Sequence, residues 1–315
     1  MLEIIHTSVL LEETIKYLAP RGRNETMLDL TLGEAGHAIS FLSKFPDLNY
    51  IGVDIDPSIQ EVARKRLAKF RKRTLFFTNW SQDFLAVYPE NLKRPDTIFA
   101  DLGISYYHYI KSGMGFSFST DEPLDMRLDP SSNCTAAQIL ERNSEHDLAD
   151  IIYKNSGERF ARRIAKTIVQ ERQKCPITSS LALAELVKRS VPAKYRYGSV
   201  HPATRTFMSL RIAVNDEIAR LPALLEAALK ILKPGGRLGI ISFHSLEDRL
   251  VKNFFRSKNQ DCICPSQAPT CTCAGHRMIN ILTKKGITPC EEEIRHNPSS
   301  RSARLRVAEK ILEAA

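Results

Sequence analysis

The stretch D-L-T-L-G-E-A-G-H at residues 29–37 decides the fold of this 315-residue chain. With the apolar residues before it, it predicts a buried strand at 27–32 that runs into a glycine-containing turn and then a helix. A second apolar run, I-G-V-D, ends in a carboxylate at Asp54. In a doubly wound α/β sheet, ligands bind at the carboxyl ends of the strands, and an acid after the second strand can bind ribose hydroxyls. The two segments therefore predict a site for a nucleoside-containing cofactor.

The flanking sequence continues this alternation of strands and helices. Further strands are predicted at 50–54, 75–78 and 97–102, with helices at 8–18, from 37 onward and at 57–70. This series is typical of a parallel sheet with right-handed crossovers. Near the end of the chain, short strands at 278–283 and 303–309 suit an edge hairpin that closes the sheet.

An insertion is predicted between the fourth strand and a fifth strand at 238–243, because the interval far exceeds what one crossover needs. Helical spacing predicts an inserted helical domain at 131–205, with the sheet domain formed by 1–130 and 206–315. One stripe of the insertion carries Arg159, Arg163 and Lys166. That stripe fits a solvated helix face as well as a nucleic-acid contact.

Composition limits the class of protein. The formal net charge of +9 favours a polyanionic partner. No apolar run is long enough to span a bilayer, and the N-terminus lacks the features of a signal peptide. We therefore expect a cytoplasmic protein that does not interact with membranes.

The first turn discriminates among nucleoside cofactors. A dinucleotide site favours G-x-G-x-x-G, whereas this turn offers Gly33 and Gly36 with Glu34 between them. A carboxylate there would repel a pyrophosphate but suits the sulfonium and amino groups of S-adenosylmethionine. No phosphate-binding G-x-x-x-x-G-K-[ST] loop is present. S-adenosylmethionine is thus favoured over NAD or ATP.

A second anchor is A-D-L-G-I-S-Y-Y-H, at the end of the fourth predicted strand. Asp101 is expected to face the same cleft as the first turn. Tyr106, Tyr107 and Tyr109 bring aromatic surface there, which could stack an unpaired base or simply pack the insertion onto the sheet.

From these segments onward the chain resembles the bacterial 16S ribosomal RNA cytosine-N4 methyltransferase family, nearly from end to end. The shared strings include H-T-S-V-L-L-E-E at 6–13, P-L-D-M-R-L-D at 123–129, E-R-F-A-R-R-I-A at 158–165, H-P-A-T-R-T-F at 201–207, I-S-F-H-S-L-E-D-R at 241–249 and N-P-S-S-R-S-A-R-L-R at 297–306. The resemblance implies a class I, Rossmann-like methyltransferase sheet with an inserted helical domain. It also implies a cytoplasmic enzyme that methylates a decoding-centre cytidine of 16S rRNA in the small ribosomal subunit.

The resemblance also assigns roles by position. The cofactor loop would comprise Gly33, Ala35, Gly36 and His37. Asp54 would bind ribose, Trp80 would lie beside adenine, Asp101 would lie near the methionine end, and His108 would contact the cofactor. The chain departs from the family where Ala35 replaces a glycine, and where Tyr-Tyr-His at 106–108 replaces Ser-Pro-Gln. These departures keep open a weakened or non-catalytic ribosome-assembly paralogue, and a small-molecule methyltransferase is a further rival.

For catalysis, the exocyclic amine must be held in line and its protons bound, so that its lone pair localises as the methyl arrives. Asp101, or a backbone carbonyl in the turn that contains Ser105, is predicted to accept that bond. Tyr106 or Tyr107 is predicted to stack on the base after it is turned out of the RNA. His244, after the fifth strand, suits a substrate contact or a structural hydrogen bond equally well.

Basic residues of the insertion and the tail are predicted to hold RNA phosphates, namely Arg159, Arg162, Arg163, Lys166, Arg301, Arg304 and Arg306. Asp125 and Arg127 suit either an ion pair or substrate contacts. The oligomeric state does not follow from the sequence, and a homodimer is kept open.

Four cysteines crowd into twelve residues, at Cys262, Cys264, Cys271 and Cys273. Two C-x-C pairs could supply a tetrahedral thiolate site for structural zinc. The usual spacing is C-x-x-C, so a redox-sensitive or plain cysteine loop is the alternative. No catalytic role is predicted for this cluster.

Overall fold

The computed structural model describes residues 8–198, 200–261 and 277–311. The chain divides into a sheet unit, Met1–Ile104 with Ile218–Ala315, and a helical unit, Ser105–Glu217. The helical unit is larger at both ends than the predicted 131–205. At its start, an extended segment is bonded to the later helices, since Leu124 N–H donates to the Thr178 carbonyl (2.9 Å) and Pro123 forms a β-bridge with Ser179.

Among the described residues, the sheet unit contains seven strands. They are β1 (Thr26–Asp29), β2 (Asn49–Asp54), β3 (Thr74–Thr78), β4 (Thr97–Asp101), β5 (Arg237–Ser242), β6 (Ile279–Ile281) and β7 (Arg304–Lys310). Their order is β3-β2-β1-β4-β5-β7-β6, with the first five strands parallel and β7 antiparallel to both β5 and β6. The two strands nearest the C-terminus, β6 and β7, are therefore paired as predicted. Of these two, only β6 lies at an edge of the sheet, because β7 lies between β5 and β6.

Helices connect these strands. The sheet unit has α1 (Leu11–Leu18), α2 (Gly36–Lys44), α3 (Pro57–Arg66), α4 (Ser81–Ala86), α11 (Glu217–Ile231), α12 (Ser245–Lys258) and α13 (Glu291–His296), with α11 beginning at the unit boundary. The predicted helix at 57–70 ends early and continues as a 3-10 turn, Ala68–Phe70. Helix α4 was not predicted, because its six residues are too short for a periodic signal.

Alternation along the strands gives the sheet two apolar faces. Leu28, Ile98 and Ile240 belong to one buried cluster, whereas Met27 and Phe99 belong to another on the opposite face. Parallel strands buried on both faces carry near-continuous apolar sequence, as these do. The sheet core therefore fixes the strand ends, where polar residues then meet.

The helical unit comprises α5 (Tyr106–Ile110), α6 (Ala136–Arg142), α7 (Glu145–Ser156), α8 (Ala161–Arg172), α9 (Ser180–Ser190) and α10 (Thr204–Asn215). Helices α6 and α7 follow each other closely but are not continuous. They separate at Asn143, because Ser144 turns the chain and its hydroxyl caps α7 by accepting from Asp147 N–H (3.1 Å). Within the ranges that the structure covers, no helix is both long and apolar enough to cross a membrane.

Candidate active site

The first cofactor loop runs from the end of β1 to the start of α2. Gly33 (φ 51°) and Ala35 (φ 64°) both lie in the left-handed region, which reverses the chain so that α2 can begin at Gly36. A side chain at Gly36 would come within 2.3 Å of the Ser8 hydroxyl oxygen. The loop is thus closely packed at the position where the sequence carries its second glycine.

Ala35 is the departure from the glycine-rich pattern, and the structure accommodates it. A left-handed conformation costs a non-glycine residue about 1–2 kcal/mol. The Ala35 methyl is fully buried in a core cluster, which returns about 0.8 kcal/mol. Alanine also loses less backbone entropy than glycine on folding. These terms nearly cancel, so Ala35 is compatible with the loop.

Asp54, at the carboxyl end of β2, is tied to this loop. Its Oδ2 accepts from Gly33 N–H (2.8 Å), and its Oδ1 accepts from Asp56 N–H (3.0 Å). An ionised carboxylate accepts hydrogen bonds only, so this side chain suits hydroxyl donors. The predicted ribose-binding acid is therefore fixed in orientation beside the predicted cofactor loop.

Trp80 follows β3 and precedes α4. The segment is anchored to the same edge of the sheet, because Asn79 N–H donates to the Asp54 carbonyl (3.1 Å). The Arg220 guanidinium stacks over the Trp80 ring at 4.2 Å from its centroid. Arg220 also lies 3.9 Å from Asp83. The indole is thereby held in one orientation, near the acid predicted to bind ribose.

Asp29 was not singled out from the sequence, but its charge acts on the predicted site residue Asp101. It is buried at the end of β1, where its Oδ2 accepts from the Tyr50 hydroxyl (2.7 Å) and its Oδ1 from Thr31 N–H (3.1 Å). Burial raises the pKa of Asp29 to about 6, even though the bond from Tyr50 opposes the shift. In the sequence, this buried pair is visible only as an acid and a tyrosine, each inside an apolar strand.

Asp101 ends β4 and faces the loop after β1. Its backbone N–H donates to Thr31 Oγ1 (2.6 Å), and its Oδ2 lies 3.8 Å from His37 Nδ1. The Asp101 side chain is 22% exposed, yet its Oδ1 is buried and has no hydrogen-bond partner among the residues described. Burial, followed by the charges of Asp29 and Glu247, raises the pKa of Asp101 well above its ordinary value.

His37 is positioned by its ring nitrogens and its packing. Its Nε2 lies 3.1 Å from the Val9 carbonyl, and its ring packs against Phe99 with the centroids 4.8 Å apart. A proton on Nε2 satisfies the carbonyl and leaves Nδ1 facing Asp101. The His37 ring is therefore fixed beside Asp101, with its Nδ1 beyond hydrogen-bond distance of the carboxyl.

His244, one of the predicted catalytic residues, caps a helix. It is the N-cap of α12, and its Nδ1 accepts from Glu247 N–H (3.4 Å) while Glu247 Oε2 accepts from Phe243 N–H (2.8 Å). His244 Nε2 lies 3.1 Å from Glu247 Oε1 without an aligned hydrogen bond. This geometry accounts for the histidine structurally, and a role toward substrate stays a prediction.

The predicted residues of the helical unit lie at its first helix. Ser105 is the N-cap of α5 and accepts from Tyr107 N–H (3.2 Å), while Tyr106 is 37% exposed. His108 is buried against Phe116, with ring centroids 5.4 Å apart. Ser105 thus has a capping role, and Tyr106 keeps an accessible ring.

Two further alternatives are decided within the helical unit. Arg211 donates to the Tyr109 hydroxyl (3.1 Å) and is paired with Glu217 at 2.8 Å, so Tyr109 has a structural partner. Arg127 Nε and Nη2 donate to the two oxygens of Asp125 at 2.6 and 2.7 Å. Asp125 and Arg127 are therefore an ion pair, which stabilises the loop they share.

The basic residues predicted in the tail differ in their exposure to solvent. Arg301 is exposed, but Arg306 is buried and its Nε and Nη2 donate to Asp248 at 2.7 and 3.1 Å. Arg306 therefore lies inside the sheet on β7 and is paired with Asp248, which the sequence did not indicate, and a phosphate contact at Arg306 stays a prediction. Cys262, Cys264, Cys271 and Cys273 lie outside the described residues, and the zinc site stays a prediction.

The sheet order, with its antiparallel seventh strand, and the cofactor loop tied to an acid after β2 define a class I methyltransferase fold. The chain matches the model of the MraW methylase family over residues 3–311 and belongs to that family.

Comparison with known proteins extends this result. The chain is 51% identical to a ribosomal RNA small subunit methyltransferase H of Treponema denticola, covering 98% of each chain. It is 43% identical to the protein of the same name from Carboxydothermus hydrogenoformans, covering 98% of this chain and 99% of the other. A crystal structure of an rRNA methylase from Streptococcus thermophilus is 11% identical with a TM-score of 0.40, covering 96% and 93% of the two chains. That structural similarity is too low to bear on function.

Proposed function

We propose that this protein is an S-adenosylmethionine-dependent methyltransferase that modifies the N4 amine of a cytidine in 16S rRNA of the small ribosomal subunit. One observation supports this most directly. In a chain of the MraW methylase family, Asp101 holds a buried Oδ1 without a hydrogen-bond partner among the described residues, at the carboxyl end of β4. A buried acceptor without a donor is costly unless a ligand supplies one.

The cofactor residues fit a cationic nucleoside. Asp54 offers two oriented carboxylate oxygens to ribose hydroxyls, beside a loop that brings backbone close. Asp29 and Glu247 lie near enough to Asp101 for their charges, after burial, to raise the pKa of Asp101. A positive ligand relieves that repulsion, whereas a pyrophosphate would add to it. When bound, S-adenosylmethionine supplies an electrophilic methyl group.

Asp101 is the residue we assign to the amine. The lone pair of an aromatic exocyclic amine is delocalised, so the enzyme must favour the pyramidal amine that attacks. A hydrogen bond from one amine proton to Asp101 Oδ1 does this and fixes the angle of approach. The Thr31 hydroxyl accepts from the Asp101 backbone N–H and so fixes the backbone that carries this carboxyl.

Exposed basic residues of the helical unit are the evidence for an RNA substrate. Arg159, Arg162, Arg163 and Lys166 are all exposed. Arg159 also stacks on Tyr195, with its guanidinium 3.9 Å from the ring centroid. A cationic surface with aromatic rings suits phosphates and unpaired bases. The exposed Tyr106 ring is our candidate for stacking on the target base.

The proposal is tested by cofactor calorimetry together with tritium transfer from labelled S-adenosylmethionine to undermethylated small subunits. We expect micromolar or tighter cofactor binding and label in 16S rRNA, with label reduced about 100-fold in Asp101→Asn. Asp125→Asn is the matched control, since that carboxylate is paired with Arg127. Cofactor binding without transfer would identify a non-catalytic assembly factor, and transfer only to free metabolites would identify a small-molecule enzyme.

A further inference from the structure

A second basic site lies in the sheet unit, between α12 and the strand pair β6–β7. A cavity of about 210 Å³ is lined by four cations and two apolar side chains. These are Lys252, Arg256, Lys284, Arg306, Phe255 and Ile281. The lining contains no carboxylate, as far as the described ranges extend. Such a cavity favours an anion, because its cations would otherwise repel one another.

Helix α12 extends this charge beyond the cavity. Arg249, Lys252 and Arg256 are exposed at spacings of three and four residues, which places them on one face. The adjacent face buries Val251 and Phe255 in the sheet core, and Phe255 also borders the cavity. From Arg249 to Arg256 the stripe covers about 10 Å of helix, at 1.5 Å per residue. A single small anion could engage only part of such a stripe.

Arg306 completes the cavity from β7. Its Nε and Nη2 bind Asp248, so this pairing leaves Nη1 for another acceptor. Gly286 (φ 71°) packs beside it, since a side chain there would lie 3.4 Å from the Arg306 Cζ and 2.8 Å from the Arg304 Cγ. The turn that carries Lys284 is thus fixed against the arginines of β7. The four cations are held on packed elements.

We propose that this cleft, formed by Lys252, Arg256, Lys284 and Arg306, binds consecutive phosphates of the RNA substrate. The inference rests on the proposed function for the nature of the polyanion. Helix α12 begins directly after β5, whose neighbour β4 carries Asp101 at the same end of the sheet. An RNA strand along the stripe from Arg256 to Arg249 would therefore run toward the carboxyl ends of the strands. It would meet the proposed site there.

The test compares two matched triple variants of the full chain. K252Q/R256Q/K284Q removes two lysines and one arginine from the cleft. R71Q/K72Q/K93Q removes the same set from exposed positions elsewhere on the sheet unit. A charge-preserving variant, K252R/R256K/K284R, separates charge from side-chain shape. Binding of a short single-stranded RNA from the small subunit is followed by fluorescence anisotropy between about 50 and 200 mM salt, without cofactor.

Three lost phosphate contacts should reduce the slope of log K against log salt by about 2, at about 0.7 per contact. The same relation gives a loss of affinity of about 50-fold at 0.15 M salt. The control triple and the charge-preserving variant should bind as the wild type does. All variants should keep wild-type affinity for S-adenosylmethionine.

Equal RNA affinity and equal salt slope in the two glutamine triples would overturn the inference. The inference would also be overturned if the cleft triple lost affinity for intact subunits but kept its affinity for naked RNA. An acidic protein surface, and not RNA, would then occupy the cleft. Since the RNA assay omits the cofactor, wild-type protein that binds RNA here but transfers no methyl would refute the proposed function and leave the inference intact.

Discussion

The buried pair of Tyr50 and Asp29 gives a pH-dependent prediction about stability. Tyr50→Phe removes the hydroxyl that donates to Asp29 Oδ2 over 2.7 Å, in a fully buried position. A hydrogen bond to a charged acceptor contributes about 1.5–3 kcal/mol, and one to a neutral acceptor about 0.5–1.5 kcal/mol. The cost of the substitution therefore depends on whether Asp29 is ionised.

The direction of the effect follows from linkage. The pKa of Asp29 in the folded protein is about 6, above its value of about 3.9 in an unfolded chain. Protonated Asp29 therefore favours folding, and this contribution is lost as pH rises from about 4 to 6, by about 3 kcal/mol. Because the Tyr50 bond lowers that pKa, Tyr50→Phe raises it further and deepens the loss.

We expect Tyr50→Phe to lower the free energy of unfolding by about 1 kcal/mol at pH 5 and by about 2–3 kcal/mol at pH 8. Urea denaturation at both pH values measures this. Tyr88→Phe is the matched control, since its hydroxyl donates to the neutral Lys93 carbonyl (2.7 Å) and its cost should not change with pH. Adding Asp29→Asn should abolish the pH dependence. An equal cost of Tyr50→Phe at the two pH values would refute the reasoning.

Three further outcomes are expected. Asp101→Asn should lower kcat on small subunits about 100-fold at saturating cofactor, and unchanged turnover would exclude Asp101 as the amine acceptor. Ala35→Gly should alter the free energy of unfolding by less than about 1 kcal/mol, because the relieved backbone strain is offset by the lost methyl burial and the added chain entropy. A larger change in stability, measured by urea denaturation, would contradict that balance. Trp80→Ala should weaken cofactor binding about 10-fold by calorimetry, with Trp80→Phe restoring most of it, and equal losses in both would argue against stacking on adenine.

The parallel strands and their ends could be predicted from sequence, since buried apolar runs separated by helical spacing leave little choice of sheet. Asp54 and Asp101 were predicted as site residues in this way, because an acid directly after an apolar strand marks the ligand edge. The helical unit was less predictable at its ends. Its opening segment has no periodicity, and it joins the later helices only through backbone bonds such as that from Leu124 to Thr178.

The sequence did not predict which polar and charged side chains pair with each other, because sequence patterns do not encode such pairs. Asp29 lay within the decisive motif, but its partner Tyr50 lies 21 residues away on the next strand. Arg306 and Asp248 are 58 residues apart, so a buried ion pair had the same appearance in sequence as a free basic tail. The basic cleft of α12 was missed for the same reason, because Lys284 and Arg306 join Lys252 and Arg256 only in the folded sheet.

Methyl transfer to a cytidine of 16S rRNA can be measured by mapping modified nucleosides with mass spectrometry. Undermethylated small subunits are incubated with the protein and S-adenosylmethionine, and the digested 16S rRNA is then mapped. We expect N4-methylcytidine at one position with wild-type protein and far less with Asp101→Asn. Unmodified 16S rRNA, or methylation of another nucleoside, would contradict it.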